Sequence, residues 1–339
     1  MKFNVNSLVS WFLYDIYVHF KNNSYKFLFI SFVLISILSC LSNFDENVIP
    51  PRISDTSMNK AKDCELSMKN DVLTIDIPIE YGSIVYEFTH NVSASKNLDV
   101  WRVNKAYAVM NGKRTPVSVV GEWECAIHLE GRPDFSGGLM HGDEIVQDIK
   151  FIIDGKEKIE VSSIKNFNTL SIIESSYLYD PSNESSVFAK HISEHRWNKN
   201  GMEILQTIEW LKIESVSSSY TAMFPASKDL FSQYKTNVNS NVQNLENNTA
   251  IGGVRNISLY GTRGVNSKFS ITEFTTTHDY FLVMDNGGNA YWKCYFVAHE
   301  TKPSIIREGT IWKSNAKYVI DIEQPRDTIP AANINIIKI

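Results

Sequence analysis

The chain has 339 residues, of which 43% are hydrophobic and 21% are charged, and its formal net charge is −5. This composition is typical of a folded protein that buries a large core. The sequence contains no long block of Lys and Arg, so we expect no nucleic-acid partner.

The first 40 residues have the pattern of an export signal. Residues 27–41 are mostly apolar and uncharged, but they are shorter than the roughly 20 residues that span a bilayer. They contain the tetrapeptide at 37–40, Ile-Leu-Ser-Cys, which resembles the lipobox of bacterial lipoproteins and implies lipidation of Cys40. The sequence predicts export to the cell envelope or cell surface with a lipid anchor in the membrane. An uncleaved signal anchor is the alternative.

The remaining chain divides into two parts that differ in composition and in hydrophobic pattern. Residues 41–70 are largely polar and include Pro50 and Pro51, which predicts a tether. Residues 71–339 have an even texture that predicts one β-sandwich domain. A smaller N-terminal subdomain that ends near Gly112 is the alternative.

Short alternating segments separated by Gly, Asn and Asp fill this domain. Asp-Gly at 154–155 and Asn-Gly at 200–201 are hairpin signals. The pattern predicts an all-β fold, a large antiparallel β-sandwich that is jelly-roll-like. Helix is expected only as a short piece at 227–234. Residues 237–248 are rich in Asn and predict a long surface loop, with a short helix at 238–245 as the alternative.

Four cysteines occur, without the paired spacing of a zinc ribbon. Two arrangements are open if Cys40 is lipidated. In the first arrangement, Cys125 and Cys294 form a disulfide. In the second, Cys64, Cys125 and Cys294 are buried free thiols.

Residues 134–144 combine three glycines, His141 and several carboxylates. Glycines let the backbone bring a histidine close to a ligand. Because the imidazole pKa lies near neutrality, such a histidine suits proton transfer. A solvated acidic turn is the alternative.

The hairpin around 198–201 presents two histidines and an arginine. His191 and His195 share one strand face, about 13 Å apart, which is too far for two ligands of one metal ion. Arg196 lies on the other face, where we expect it to bind a substrate carboxylate or to pair with a cross-strand Glu. A metal site that adds Asp143 and Glu144 stays open.

The strand at 291–295 places Tyr291, Lys293 and Tyr295 on one face. An ammonium beside a phenol favours the phenolate, which is a suitable base for a proton next to a carbonyl group. A strand with a polar outer face is the alternative.

Two segments resemble the β-jelly-roll polysaccharide lyases. Ala-Ile-His at 126–128 stands where that family has Gln-Ile-His, and Tyr-Trp-Lys at 291–293 stands where it has Tyr-Phe-Lys before a catalytic Tyr. The resemblance implies β-elimination, or hydrolysis, of an acidic polysaccharide in a cleft, without a cofactor. It implies roles for His128, Lys293 and Tyr295. We expect Tyr295 or His141 to be the catalytic base, and Lys293, Arg196 or Arg102 to hold the substrate carboxylate. The substrate-binding residues that we expect are Arg102, His128, His191, His195, Tyr220 and Tyr291.

A second function class fits the same residues. The seven Trp and 15 Tyr of the chain offer aromatic faces that stack on sugar rings or fill a core. A lipid-anchored surface protein that binds glycans without cleaving them is therefore the alternative. Serine-hydrolase, nucleotide-loop and zinc-protease motifs are missing from the sequence.

Overall fold

The structure is a computed structural model that describes residues 63–246, 249–275, 281–285, 290–299 and 303–323. The predicted signal segment, Cys40 and most of the predicted tether lie outside these residues. The first strand, Cys64–Lys69, lies inside the segment 41–70 that we expected to be a tether. Among the described residues, no helix has both the length and the apolar character that a membrane span needs.

The described residues form 22 strands and one short α-helix, which confirms the all-β prediction. In chain order they are β1 (Cys64–Lys69), β2 (Val72–Ile79), β3 (Gly82–Ser93), β4 (Leu98–Met110), β5 (Lys113–Ser118), β6 (Ala126–Leu129), α1 (Gly138–His141), β7 (Glu144–Ile153), β8 (Lys156–Lys158), β9 (Ser163–Phe167), β10 (Leu170–Asp180), β11 (Asn183–Asn198), β12 (Gly201–Trp210), β13 (Glu214–Ser227), β14 (Phe231–Thr236), β15 (Gln243–Asn244), β16 (Thr249–Gly252), β17 (Asn256–Gly261), β18 (Val265–Phe274), β19 (Phe281–Asp285), β20 (Tyr291–His299), β21 (Ser304–Ile306) and β22 (Ile311–Ile322).

Two sheets contain these strands. The larger has the order β15-β14-β17-β18-β22-β12-β11-β10-β7-β4-β3-β2-β1-β9, with β5 on β4 and β8 on β7. The smaller has the order β16-β19-β20-β13-β21, with β6 on β13. Nearly all pairs are antiparallel, and β4 with β7 is a short parallel pair. The predicted antiparallel sandwich is therefore confirmed.

Aromatic contacts show how the sheets pack. The rings of Phe269 in β18 and Phe296 in β20 lie 4.8 Å apart, so the two sheets face each other. The rings of Phe88 in β3 and Trp197 in β11 lie 5.6 Å apart, although three strands separate β3 from β11 in the sheet. The larger sheet therefore bends until its two halves also enclose part of the core.

The helix predicted at 227–234 is wrong, and the alternative helix at 238–245 does not form. Residues 237–246 are irregular apart from the two-residue β15, in agreement with the expected loop. Strand β14 occupies the middle of this region and pairs with β17 over Phe231 to Thr236. Phe231 and Tyr234 are buried in the main hydrophobic core, so tertiary packing overrides a weak helical pattern.

The hairpin at 198–201 is confirmed by the pairing of Asn198 with Gly201. Only Gly201 has a positive φ, at 113°, whereas Lys199 and Asn200 do not. A Cβ at Gly201 would lie 2.4 Å from the carbonyl oxygen of Tyr318, so the turn also needs glycine for its close approach to β22.

The disulfide between Cys125 and Cys294 is wrong, because Cys64, Cys125 and Cys294 are buried free thiols. Burial raises the pKa of the Cys294 thiol to about 12. These cysteines therefore act as small apolar side chains, as in the second arrangement that the sequence left open.

Candidate active site

The loop before β7 holds His141 at the end of α1. Gly138 and Gly142 both have positive φ values. A Cβ at Gly138 would lie 2.1 Å from Oε2 of Glu124, and one at Gly142 would lie 2.2 Å from the carbonyl oxygen of Lys96. The glycines around His141 are therefore required by close approach as well as by backbone conformation.

Two buried carboxylates fix this loop. The backbone N–H of Gly138 donates to Oε2 of Glu144 over 2.8 Å, and that of Leu139 donates to Oε2 of Glu124 over 2.5 Å. Glu124 and Glu144 are each at most 1% exposed. These bonds are strong because the acceptors lie away from water, so they hold the loop that presents His141.

His141 connects an acid to a phenol. Its Nδ1 lies 3.0 Å from Oδ1 of Asp134, and its Nε2 lies 3.2 Å from the hydroxyl of Tyr220. When Nδ1–H donates to Asp134, Nε2 accepts the hydroxyl proton of Tyr220. The three residues then form a Tyr–His–Asp series like that of a hydrolase nucleophile with its base and orienting acid.

Two strands of the smaller sheet supply the rest of the site. The register of β13 against β20 shifts around Tyr220, and such a bulge re-aims side chains. The rings of Tyr220 and Tyr295 lie 5.4 Å apart. Lys293, two residues before Tyr295 on β20, reaches Oε2 of Glu122 over 3.3 Å.

These groups line a pocket of about 200 Å³, which we name the Tyr220 pocket. Its walls are formed by Phe135, His141, Ser218, Ser219, Tyr220, Met223, Asp285, Lys293, Tyr295 and Val297. The structure therefore brings together four residues that the sequence predicted for the site, which are His141, Tyr220, Lys293 and Tyr295.

An aromatic row leads away from this pocket. The ring of Phe135 lies 4.9 Å from that of His141 and 4.9 Å from that of His128. Nδ1 of His128 lies 2.6 Å from the hydroxyl of Ser217, which orients the imidazole. His128 therefore lies beside the pocket, where its ring extends a surface suited to sugar rings.

The pocket sets the protonation of its acid–base groups. Burial lowers the pKa of His141, although Asp134 opposes this effect. Burial, with the nearby carboxylates of Glu124 and Glu122, raises the pKa of Tyr220 well above its usual value. Burial, followed by the charge of Glu122, raises the pKa of Glu124 to about 8. At neutral pH the imidazole is a free base, and both the phenol and the Glu124 carboxyl keep their protons.

Glu122 and Glu124 are site residues that sequence reasoning missed. Glu122 accepts a hydrogen bond from the buried Tyr291 hydroxyl over 2.8 Å and also meets Lys293. Tyr291 therefore orders Glu122 instead of contacting a substrate. The available signal was a pair of acids two residues apart around Trp123, in a segment otherwise suited to burial.

Besides Tyr291, three other predicted substrate-binding residues lie in the interior. Arg102, His191 and His195 are each at most 2% exposed. Arg102 meets Glu144 over 2.7 Å and Glu174 over 2.5 Å. Nδ1 of His191 lies 2.8 Å from Oε1 of Glu144. The sandwich encloses these groups, so they do not reach a polysaccharide, and the prediction of binding roles for them is not supported.

Arg102, Glu144, Glu174 and His191 form a buried group of charged and polar side chains, which we name the Arg102 network. Burial raises the pKa of Glu144, but Arg102 and then His191 outweigh it and hold that pKa well below the usual range. Burial raises the pKa of Glu174. The sequence anticipated that Glu144 meets His191, but no group of three or more His, Cys, Asp or Glu able to hold a metal occurs within the described ranges.

Arg196 lies outside the Tyr220 pocket. It forms a two-pronged ion pair with Glu194 on its own strand, over 2.5 and 2.8 Å, and its side chain is 45% exposed. The expected meeting of Arg196 with His141 and Tyr295 does not occur, because β11 belongs to the other sheet and Arg196 faces its outer side.

No family model matches this chain, and no curated protein matches it. Solved structures resemble it weakly. The galactosidase domain of an α-galactosidase–sucrose kinase has a TM-score of 0.43 and 9% identity, over 75% of this chain and 41% of that chain. A putative aldose 1-epimerase from Escherichia coli K12 has a TM-score of 0.36 and 10% identity, over 74% and 100%.

A heparan sulfate lyase from Pedobacter heparinus has a TM-score of 0.37 and 8% identity, over 83% of this chain and 39% of that chain. The chain thus spans about two fifths of the galactosidase-domain and lyase chains. Similarity at this level does not identify the chemistry of the site, which depends on its own side chains.

Proposed function

We propose that this protein processes a glycan in the Tyr220 pocket, by β-elimination on an acidic polysaccharide. The observation that carries the proposal is the series Tyr220–His141–Asp134, with Lys293 on the same pocket wall. It supplies a proton relay and a cation at one opening. Those are the two requirements for removing a proton beside a carboxylate.

The relay explains how a phenol with a raised pKa acts as a base. Tyr220 takes the proton from the carbon beside the substrate carboxylate while its own hydroxyl proton passes to Nε2 of His141. Asp134, at Nδ1, stabilises the imidazolium that forms. Breaking the bond to the leaving oxygen gives that oxygen an electron pair, and it takes a proton returned through Tyr220. The C–H proton thus ends on the leaving oxygen in the overall balance.

Lys293 is the group that neutralises the substrate carboxylate. Its side chain is 29% exposed and lines the pocket, so a sugar carboxylate can reach its ammonium group. Glu122 holds the ammonium from the buried side, which orients it but also takes part of its charge. We expect Lys293 to lower the barrier to the enolate by electrostatic attraction that grows as charge moves onto the carboxylate.

The test is incubation of the folded protein with a panel of uronic-acid polymers, followed by ultraviolet absorbance of the unsaturated product. Tyr220→Phe keeps the ring beside Tyr295 and Phe135 and removes the hydroxyl. We expect the rate to fall by about 10²–10⁴-fold, with glycan binding retained. Tyr177→Phe, at a half-buried position of β10 in the other sheet, is the matched control.

A second candidate is glycan binding without cleavage, which the row of His128, Phe135 and His141 favours. It predicts retention on a glycan array with no shortening of the polymer and no effect of Tyr220→Phe. Absence of unsaturated product from every polymer, with glycans retained, would contradict elimination and support this candidate.

Export and lipid anchoring at Cys40 remain part of the proposal. The supporting feature is the apolar run before the tetrapeptide at 37–40. Mass spectrometry of the membrane-extracted protein should show an acylated Cys40 at the N-terminus, and Cys40→Ser should leave an unacylated protein. An unmodified protein that still begins at its first residue would contradict this.

A further inference from the structure

A second hollow, which we name the end pocket, lies between the two halves of the bent larger sheet. It has a volume of about 420 Å³. Strands β2, β3 and β22 form its walls, and the turn between β11 and β12 lies at its mouth. The residues that line it include Ile77, Ile84, Tyr86, Lys199, Lys317 and Asp321. None of them lines the Tyr220 pocket.

The walls are aliphatic on both sides. Ile77 and Ile84 come from β2 and β3, and Ile320, which is 4% exposed, comes from β22. Branched aliphatic walls in a concave site favour a ligand with an apolar body, because burial of that body releases water from both surfaces. A sugar, whose surface is mostly hydroxyl groups, is a poor match for these walls.

A hydrogen-bond donor lies in the wall of the end pocket. Tyr86 is 1% exposed, and its hydroxyl has no hydrogen-bond partner in the described part of the chain. The edges of Trp123 and Trp197 pack against its ring at 6.4 and 6.2 Å, so the phenol is held in place. An unpaired buried hydroxyl is unfavourable, and a ligand oxygen that accepts its proton removes that cost.

Two ammonium groups lie at the rim. Lys199 is exposed at the turn and forms no ion pair within the described ranges. Lys317 meets only one acid there, Glu203, over 3.5 Å. The close approach of Gly201 to Tyr318 fixes the turn against β22, which holds Lys199 over the opening. Asp321 is the one acid among the residues that line the end pocket.

We propose that the end pocket binds an aliphatic carboxylate, with its hydrocarbon part against the isoleucines and its oxygens accepting from the lysines and from Tyr86. The charge pattern favours an anion. Tyr86, Lys199 and Lys317 are hydrogen-bond donors without a strong partner, and the oxygens of a carboxylate accept from such donors. The site is separate from the Tyr220 pocket, so it adds a second ligand whose binding does not depend on glycan chemistry.

The test is calorimetric titration of the purified protein with octanoate and with octanamide, which share their hydrocarbon chain and differ in charge. We expect saturable binding of octanoate and binding of the amide that is about tenfold weaker. Tyr86→Phe keeps the ring packing and should weaken octanoate by about tenfold. Lys199→Ala should weaken it by several-fold.

Lys313→Ala is the matched control, because Lys313 is exposed on β22 and does not line the end pocket. Its affinity for octanoate should equal that of the unmodified protein. The proposal is overturned if octanoate does not saturate, if octanamide binds equally well, or if Lys199→Ala and Lys313→Ala behave alike.

Discussion

Two regions of the molecule combine histidine, carboxylate and a cation, and they differ in access to solvent. The Tyr220 pocket has a partly buried His141 and a Lys293 side chain that is 29% exposed. The Arg102 network has an arginine side chain that is 2% exposed. Under the proposed function, the same kinds of side chain therefore serve proton transfer in one region and internal structure in the other. Exposure decides between these roles, because a ligand has to reach the group.

The two regions are also connected. Glu144 accepts bonds from His191 and Arg102 on one side and from the N–H of Gly138 on the other. The buried network thus holds the loop that presents His141. The interior region contributes to the site by positioning, although its own charged groups are buried.

The largest expected effect comes from Arg102→Ala. Removing the guanidinium leaves the buried Glu144 and Glu174 without their shared cation. We expect a loss of about 3–5 kcal/mol in the free energy of unfolding, because an uncompensated buried charge is costly. Denaturant titration followed by tryptophan fluorescence measures it. Unfolding within 1 kcal/mol of the parent protein would mean that the network is not a structural element, whereas failure to fold would agree with the expectation.

Glu124 offers a pH-dependent effect at the boundary between the two regions. Burial and the charge of Glu122 raise its pKa from 4.5 to about 8. Between those values the folded protein keeps a proton that the unfolded chain releases. Stability therefore falls as pH rises, by up to about 1.4 kcal/mol per pH unit.

Glu124→Gln retains an oxygen for the N–H of Leu139 and has no proton to lose. The variant should become more stable than the parent protein as pH rises through that window, measured by denaturant titration at several pH values. Glu157→Gln, at an exposed position on β8, is the control and should track the parent. A constant difference between Glu124→Gln and the parent would contradict the raised pKa.

The sequence predicted local features of both regions well. Alternation gave the shared face of Lys293 and Tyr295, and Asn-Gly gave the hairpin, because both signals depend on neighbouring residues. The glycine-bracketed His141 was also recognisable. Which face of a strand another sheet covers depends on distant residues, so the burial of Arg102 and His191 did not follow from alternation.

Contacts between distant elements explain the other misses. Tyr220 was predicted for the site, but its contact with His141 was not. The register of β13 shifts at Tyr220, and such a bulge has no clear mark in this sequence. Glu122 and Glu124 were overlooked because charged residues seldom lie in a core. Arg196 was placed in the site on its chemistry alone, without information on which sheet would carry it.

A pH profile of the proposed elimination rate tests the Tyr220 pocket. Burial lowers the pKa of His141, so the imidazole accepts a proton at neutral pH and loses that ability as pH falls through this lowered pKa. We expect the rate to decline on the acidic side, below about pH 6.5. Asp134→Asn removes the charge that opposes the shift, so the decline should move to a slightly lower pH. A decline that stays in place would show that His141 is not the titrating group.

The smallest expected effect is that of Arg196→Ala, and it gives the comparison its reference point. Arg196 carries the same guanidinium as Arg102 and also pairs with a Glu, but it is 45% exposed. Water solvates both partners when such a pair is broken, so we expect a change of less than about 1 kcal/mol in the free energy of unfolding. The glycan-processing rate should not change, because Arg196 lies outside the Tyr220 pocket.

A rate loss with stability unchanged would place Arg196 in substrate binding after all and extend the site onto the larger sheet. Equal stability losses for the two arginine variants would remove solvent access as the basis of the comparison.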